Sequence, residues 1–188
     1  LLEKLPYFAV AVLFGVLAIL SQKDANAIQN LTPLFSWPER FMLASYAFLT
    51  YLWKLFLPID LMAMYAYPSK VNGSMPIEFM LAPVIAIALA VVAFLSLKKT
   101  RDILFGLLIF LVSISLVLQL LPVGGAVMAE RYTYVPYIGV FFFLGRGYDF
   151  VLMYKEKFRT LMHIIVAGFA LYFMFTTIQR IEVWENGY

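Results

Sequence analysis

Uncharged apolar stretches recur along the chain at 6–22, 79–97, 103–121 and 160–179. A fifth covers 132–153 and carries Arg146 and Asp149 only near its end. A membrane-crossing helix needs roughly 20 apolar residues. Each stretch therefore predicts a span, the first a little short. Apolar side chains lie on all sides of these helices. That is the pattern of spans surrounded by lipid, not of helices with one face on a soluble core.

The stretch 36–57 reads differently. Ser36-Trp37-Pro38-Glu39 is a capping box, with Ser36 as N-cap, Pro38 in the first turn and Glu39 three residues on. Pro58 ends the helix, because residues before proline leave helical geometry. A helix over 37–57 is about 30 Å long, enough to cross a bilayer. Yet it contains Ser45, Tyr46, Thr50, Tyr51, Trp53 and Lys54. It is either a sixth span or an amphipathic helix at the interface. The predicted fold is thus an all-α polytopic bundle of five to six spans, with 37–57 spanning, interfacial or re-entrant. No linker, repeat or low-complexity tract divides it, so 1–188 reads as one transmembrane domain.

Composition supports a lipid-facing exterior. Hydrophobic residues make up 64% of the chain and charged residues 13%, against about 25% charged in soluble domains. No soluble core of this size hides so much apolar surface. The 12 Tyr and 18 Phe suit interfacial belts. The absence of cysteine excludes disulfides, thiolate metal sites and a Cys nucleophile. Lys98, Lys99 and Arg101 form one basic cluster, and Lys155, Lys157 and Arg159 another. Such clusters mark cytoplasmic loops. Three regions then lie outside: 58–76, 122–131 and the end of the chain from Arg180. The start, Leu1-Leu2-Glu3-Lys4, lacks a signal-peptide pattern and reads as cut from something longer.

Two constellations could carry chemistry. Glu130-Arg131 precedes Tyr132, Tyr134 and Tyr137 and follows the breaker-rich Pro122-Val123-Gly124-Gly125. An acid–base pair then sits on the outer side where a helix begins. Arginine there suits phosphate, because its planar fork binds oxyanions and keeps its charge. The tyrosines could stack on a sugar or mark the interface, and Glu130 and Arg131 could simply pair with each other. In the second constellation Lys54 and Asp60 flank the Pro58 break. Lys54 could be a point charge for a lipid-linked anion, or could snorkel beside an aromatic girdle. His163 is the only histidine and has no metal partners at ligand spacing. Arg146 and Asp149 are spaced for an i,i+3 pair, and Gln119 for a bond to another helix. No phosphate loop, zinc-protease or nucleophile-elbow motif is present.

The run Glu130-Arg131-Tyr132-Thr133-Tyr134-Val135-Pro136-Tyr137-Ile138-Gly139 resembles the E-R-x-x-Y-x-P-x-x-G signature of TMTC-type protein O-mannosyltransferases. Tyr51-Leu52-Trp53-Lys54-Leu55-Phe56-Leu57-Pro58 resembles the Y-L-x-K-L-x-x-P stretch of the same proteins, whose bacterial relatives carry tetratricopeptide repeats. The ending from Arg180 to Asn186 resembles the junction where those repeats begin. The resemblance follows the same order over nearly the whole chain. It implies a GT-C-type glycosyltransferase of the bacterial inner membrane, with its functional face in the periplasm. Such an enzyme passes a sugar from a polyprenyl-phosphate donor to a protein hydroxyl outside the cytoplasm.

In that class the catalytic carboxylate lies in the first external loop of the full enzyme. No acidic pair here matches it, so no catalytic residue is assigned. The chain is then expected to be the later part of the membrane domain and inactive alone. Asp60 is the one external carboxylate that could substitute. The resemblance carries over Glu130, Arg131, Tyr134 and Lys54 as donor-site or structural residues. It also implies a cytoplasmic start before Leu5, which favours a flat or re-entrant 36–57. The implied partners are a lipid-linked sugar, membrane lipid, an acceptor protein and a C-terminal repeat region. No cofactor, metal or nucleic acid is expected. The competing readings are a non-catalytic anchor for the repeat module and a lipid or sugar transporter. A transporter would need polar residues in mid-span, and the spans hold almost none.

Overall fold

The computed structural model describes residues 2–24, 35–70, 73–98, 100–118 and 126–185. Among them the regular structure is helical, with an isolated antiparallel bridge between Tyr65 and Met128. The helices are α1 (Leu5–Asp24), α2 (Trp37–Phe56), α3 (Ile77–Ser96), α4 (Asp102–Ile114), α5 (Tyr134–Tyr154) and α6 (Arg159–Glu185). Three described stretches are long and apolar enough to cross a membrane: Ile77–Ser96, Glu130–Tyr154 and Glu156–Glu182. Their apolar side chains, from Val84 and Phe94 to Ile164 and Phe175, are exposed. Surface of that kind requires an apolar environment or a partner.

Local chemistry explains most helix ends. At the start of α2 the Glu39 carboxylate reaches back to the Ser36 N–H at 2.7 Å, as a capping box requires. The Ser36 hydroxyl donates to the same oxygen at 2.9 Å, and Lys70 pairs with the other at 2.8 Å. Pro58 stops α2, and the Leu57 N–H still closes on the Trp53 carbonyl at 3.0 Å. Helix α4 is shorter than the apolar stretch 103–121. It ends at Ile114 and tightens into a 3-10 turn, Ser115–Val117. Ser113 and Ser115 stand at this change, and serine hydroxyls compete with the helix for backbone groups. The expected Gln119 contact and the 122–125 breakers lie outside the described residues. At the other extreme α6 continues past Gln179 to Glu185, since neither proline nor glycine occurs between those two residues. Arg180 is therefore helical.

The chain forms two compact units. The first comprises Leu1–Leu52, Met62–Ala90 and Ile114–Thr133. Its centre is a buried stripe on α2, Leu43, Ala44, Ala47 and Tyr51, spaced to lie on one helical face. Tyr46 packs on Phe79 of α3 with ring centroids 4.0 Å apart. Buried Arg40 has two near neighbours as partners: its Nε donates to the Phe35 carbonyl at 3.2 Å and its guanidinium lies 5.0 Å from the Trp37 ring.

The second unit comprises Trp53–Leu61, Val91–Ser113 and Tyr134–Tyr188. In it α4 and α5 approach backbone to backbone at Gly106 and Gly139. A Cβ on Gly139 would meet the Gly106 carbonyl, and the Ile109 Cβ and Phe110 nitrogen at 2.9 Å each. Phe110 stacks on Tyr137 with ring centroids 6.2 Å apart. Arg146 corrects an expectation. Its Nε bonds Asp102 of α4 at 3.2 Å, while Asp149 stays exposed. Asp102 begins its helix, where the macrodipole favours a carboxylate, and it offers Arg146 a partner on another helix.

Candidate functional site

Glu130 and Arg131 open a 3-10 turn, Glu130–Thr133, that leads into α5. The first unit fixes this turn from several sides. The Thr133 hydroxyl donates to the Glu130 carbonyl at 2.8 Å, and the Tyr132 N–H to the Ala129 carbonyl at 3.1 Å. The loop 62–70 supplies the bridge: the Tyr65 N–H bonds the Met128 carbonyl at 2.9 Å, and the Val127 N–H bonds the Tyr65 carbonyl at 2.8 Å. From α2 the buried Tyr51 hydroxyl donates to the Ala129 carbonyl at 3.3 Å and accepts from the Ala129 N–H at 3.0 Å.

This scaffold separates the two charges. The Glu130 carboxylate accepts a short hydrogen bond from the Tyr65 hydroxyl, which itself accepts from the Met62 N–H at 2.9 Å. Arg131 is exposed, with its guanidinium 5.3 Å from the Tyr132 ring. Among the described residues it has no carboxylate within ion-pair distance. The local Glu130–Arg131 pair is therefore not formed. Glu130 orders the turn, and Arg131 presents its N–H donors outward, an arrangement suited to an oxyanion.

The remaining candidates belong to the second unit. Lys54 Nζ donates to the Ile59 carbonyl at 2.7 Å and the Asp60 carbonyl at 3.0 Å. Its ammonium thus shapes the turn after α2 as well as charging it. Asp60 sits in that turn with φ of +50°, a left-handed geometry that aspartate adopts more readily than most residues. Arg180 of α6 donates to the Leu61 carbonyl. Two cations therefore hold three successive backbone carbonyls. Tyr134 is exposed, whereas Tyr137 packs on Phe110 and is not an open sugar platform. The Tyr148 hydroxyl and His163 Nδ1 lie 2.9 Å apart. No cluster of three metal-ligating residues occurs among the described residues.

Tyr51, Tyr65 and Arg180 have structural roles that the sequence reading did not assign them. Tyr51 had a usable signal, because it falls on the apolar stripe of α2, where a buried phenol needs a partner. Glu130, which Tyr65 bonds, and Leu61, which Arg180 bonds, are distant in sequence and carried no such signal.

No family model, no curated protein and no solved structure matches the chain.

Proposed function

We propose that the chain is a membrane-embedded part of a GT-C-type glycosyltransferase, with five or six crossings in a bacterial inner membrane. It takes a polyprenyl-phosphate-linked sugar and serves transfer to a protein hydroxyl on the periplasmic side. A C-terminal repeat region completes the protein. One observation carries the reading. The Tyr51 hydroxyl ties one resembling stretch, 51–58, to the backbone of Ala129, beside the other, 130–139. At that junction Glu130 is engaged by Tyr65, and Arg131 faces out without a carboxylate.

The chemistry follows from charge. Transfer from a lipid-linked phosphate builds negative charge on the leaving phosphate, and a preorganised guanidinium stabilises it. Arg131 has that role, and Glu130 keeps its turn in place. Tyr134 and Lys54 belong to the second unit, and the resemblance alone proposes them for the donor. The base for the acceptor hydroxyl is not assigned to this chain. The test is Arg131→Ala in the intact protein, assayed for transfer from a polyprenyl-phosphate sugar. Loss of one such contact costs on the order of 100-fold or more in rate, with thermal unfolding unchanged. Wild-type transfer by a folded Arg131→Ala protein overturns the donor role.

A further inference from the structure

The end of α5 and the start of α6 form a helical hairpin in the second unit, and local bonds hold its shape. The Lys155 N–H closes on the Val151 carbonyl at 2.9 Å, and the Phe158 N–H on the Lys155 carbonyl at 2.8 Å. Arg159 donates to the Leu152 carbonyl at 3.0 Å, and the Tyr148 hydroxyl lies 2.9 Å from His163 Nδ1. The tip held in this way presents two kinds of side chain. Phe150, Met153, Tyr154 and Phe158 are exposed, with the Phe150 and Tyr154 ring centroids 5.2 Å apart. Lys155 and Lys157 are exposed among them. Among the described residues neither ammonium has a carboxylate within ion-pair distance.

Helix length places the tip. Helix α6 has 27 residues, so it is about 40 Å long, or ~38 Å along the membrane normal at a mean tilt of about 20°. The hydrocarbon core is ~30 Å thick, and the bilayer with its headgroups ~40–45 Å. The ends of α6 therefore reach the headgroup layers. Helix α5 overshoots as well. Arg146 meets Asp102 at the start of α4, and from there α5 runs on to Tyr154, about 12 Å further. Water is a poor solvent for the exposed rings of this tip, and hydrocarbon is a poor one for its ammonium groups. The headgroup layer suits both, since aromatic side chains concentrate there. Charge then selects the headgroup. The segments 98–102 and 146–159 hold seven cations and three carboxylates. That excess favours an anionic surface over a zwitterionic one, by about fivefold for each cation in contact with it.

We propose that the α5–α6 hairpin tip is a contact site for anionic diacyl phospholipids, with Phe150, Tyr154 and Phe158 seated among the headgroups and Lys155 and Lys157 on the phosphates. The tip recognises the charge of the bilayer surface, and no residue of the Glu130–Arg131 turn takes part. In the test, the intact protein is purified from mixed micelles of equal phosphatidylglycerol and phosphatidylcholine, and the retained lipids are counted by mass spectrometry. Wild type should retain phosphatidylglycerol in at least tenfold excess. Lys155→Gln/Lys157→Gln should lower that excess fivefold or more. Lys155→Arg/Lys157→Arg keeps both charges and should retain it, as should Lys4→Gln/Lys70→Gln, which removes as much charge elsewhere. Equal retention of the two lipids by wild type overturns the proposal, and so does an excess that survives Lys155→Gln/Lys157→Gln. An excess lost equally in Lys4→Gln/Lys70→Gln follows total charge and overturns the assignment to the tip. If the glutamine pair does not fold, salt decides: the wild-type excess should at least halve at 1 M salt, and a constant excess overturns the role of charge. Depth is read separately, with a bimane label on Phe158→Cys in phosphatidylglycerol nanodiscs. Acrylamide should quench it severalfold less than the same label on Ser69→Cys. Equal quenching would mean that the tip stands in water, with its apolar groups turned to a soluble partner, and would overturn the proposal. Sugar transfer is not read in any arm, so failure here leaves the transfer reading standing, and the reverse.

Discussion

The Tyr51 hydroxyl matters beyond one hydrogen bond, because both its partners are buried backbone groups of Ala129. Tyr51→Phe keeps the ring and strands a buried N–H and a buried carbonyl. A stranded buried group costs about 1–3 kcal/mol. The variant should unfold several degrees below wild type as the Glu130–Arg131 turn loosens. A wild-type melting curve would show that Ala129 finds other partners. Glu39 offers a pH test at the same scale. Its hydrogen bond with Lys70, then those from Ser36, hold its carboxyl below the usual glutamate value. A depressed folded value contributes stability above the ordinary carboxylate range, and that contribution is lost as pH falls through the folded value. The pair is partly solvent-accessible, with Lys70 32% exposed and Glu39 18%, so its worth is about 0.5–1 kcal/mol. Glu39→Gln should therefore melt below wild type at neutral pH and converge with it on acidification through the carboxylate range.

Helix packing decides the significance of Gly139. In the resembling motif it is only the last letter. In the second unit it is the point where α5 meets Gly106 of α4, with no room for a methyl group. Small residues allow such backbone approach between apolar helices, where lipid supplies no competing hydrophobic drive. Gly139→Ala forces the helices apart, and overpacking of this kind costs about 1–3 kcal/mol. Gly145→Ala in the same helix is the control, since an added Cβ there meets nothing within 4 Å. Equal melting temperatures for the two variants would refute the crossing. The sequence made α3, α5 and α6 legible, because an apolar run of membrane length has few alternative structures. It also made both ends of α2 legible, because Ser36, Glu39 and Pro58 act locally. It misread Arg146, because i,i+3 spacing shows only neighbours on the same helix. Asp102, 44 positions away, was invisible to that argument.

At the scale of the whole molecule, Glu130 and Arg131 were legible as residues, but their arrangement was not. Adjacent opposite charges suggest a pair, and only the fold brings Tyr65 to Glu130 from 65 positions away. The number of crossings depends on how the chain passes from Thr100 to Tyr134. Helix α4 has 13 residues and its 3-10 extension three. Together they reach about 25 Å, slightly less than the ~30 Å hydrocarbon core. A shortfall of a few ångströms is absorbed by local thinning or snorkelling at modest cost. The basic residues Lys98, Lys99 and Arg101 favour a cytoplasmic side for the start of this rod. The chain has no cysteine, so single-cysteine variants report one position each. Ser69→Cys and Tyr134→Cys should react with an impermeant maleimide from the outside. Thr100→Cys and Tyr154→Cys should react only after permeabilisation. Reaction of positions 100 and 134 from the same side would mean that α4 does not cross, and the count would fall accordingly. Reaction of 134 and 154 from the same side would be more damaging, because α5 would then not span and Arg131 could not be assigned to the periplasmic face.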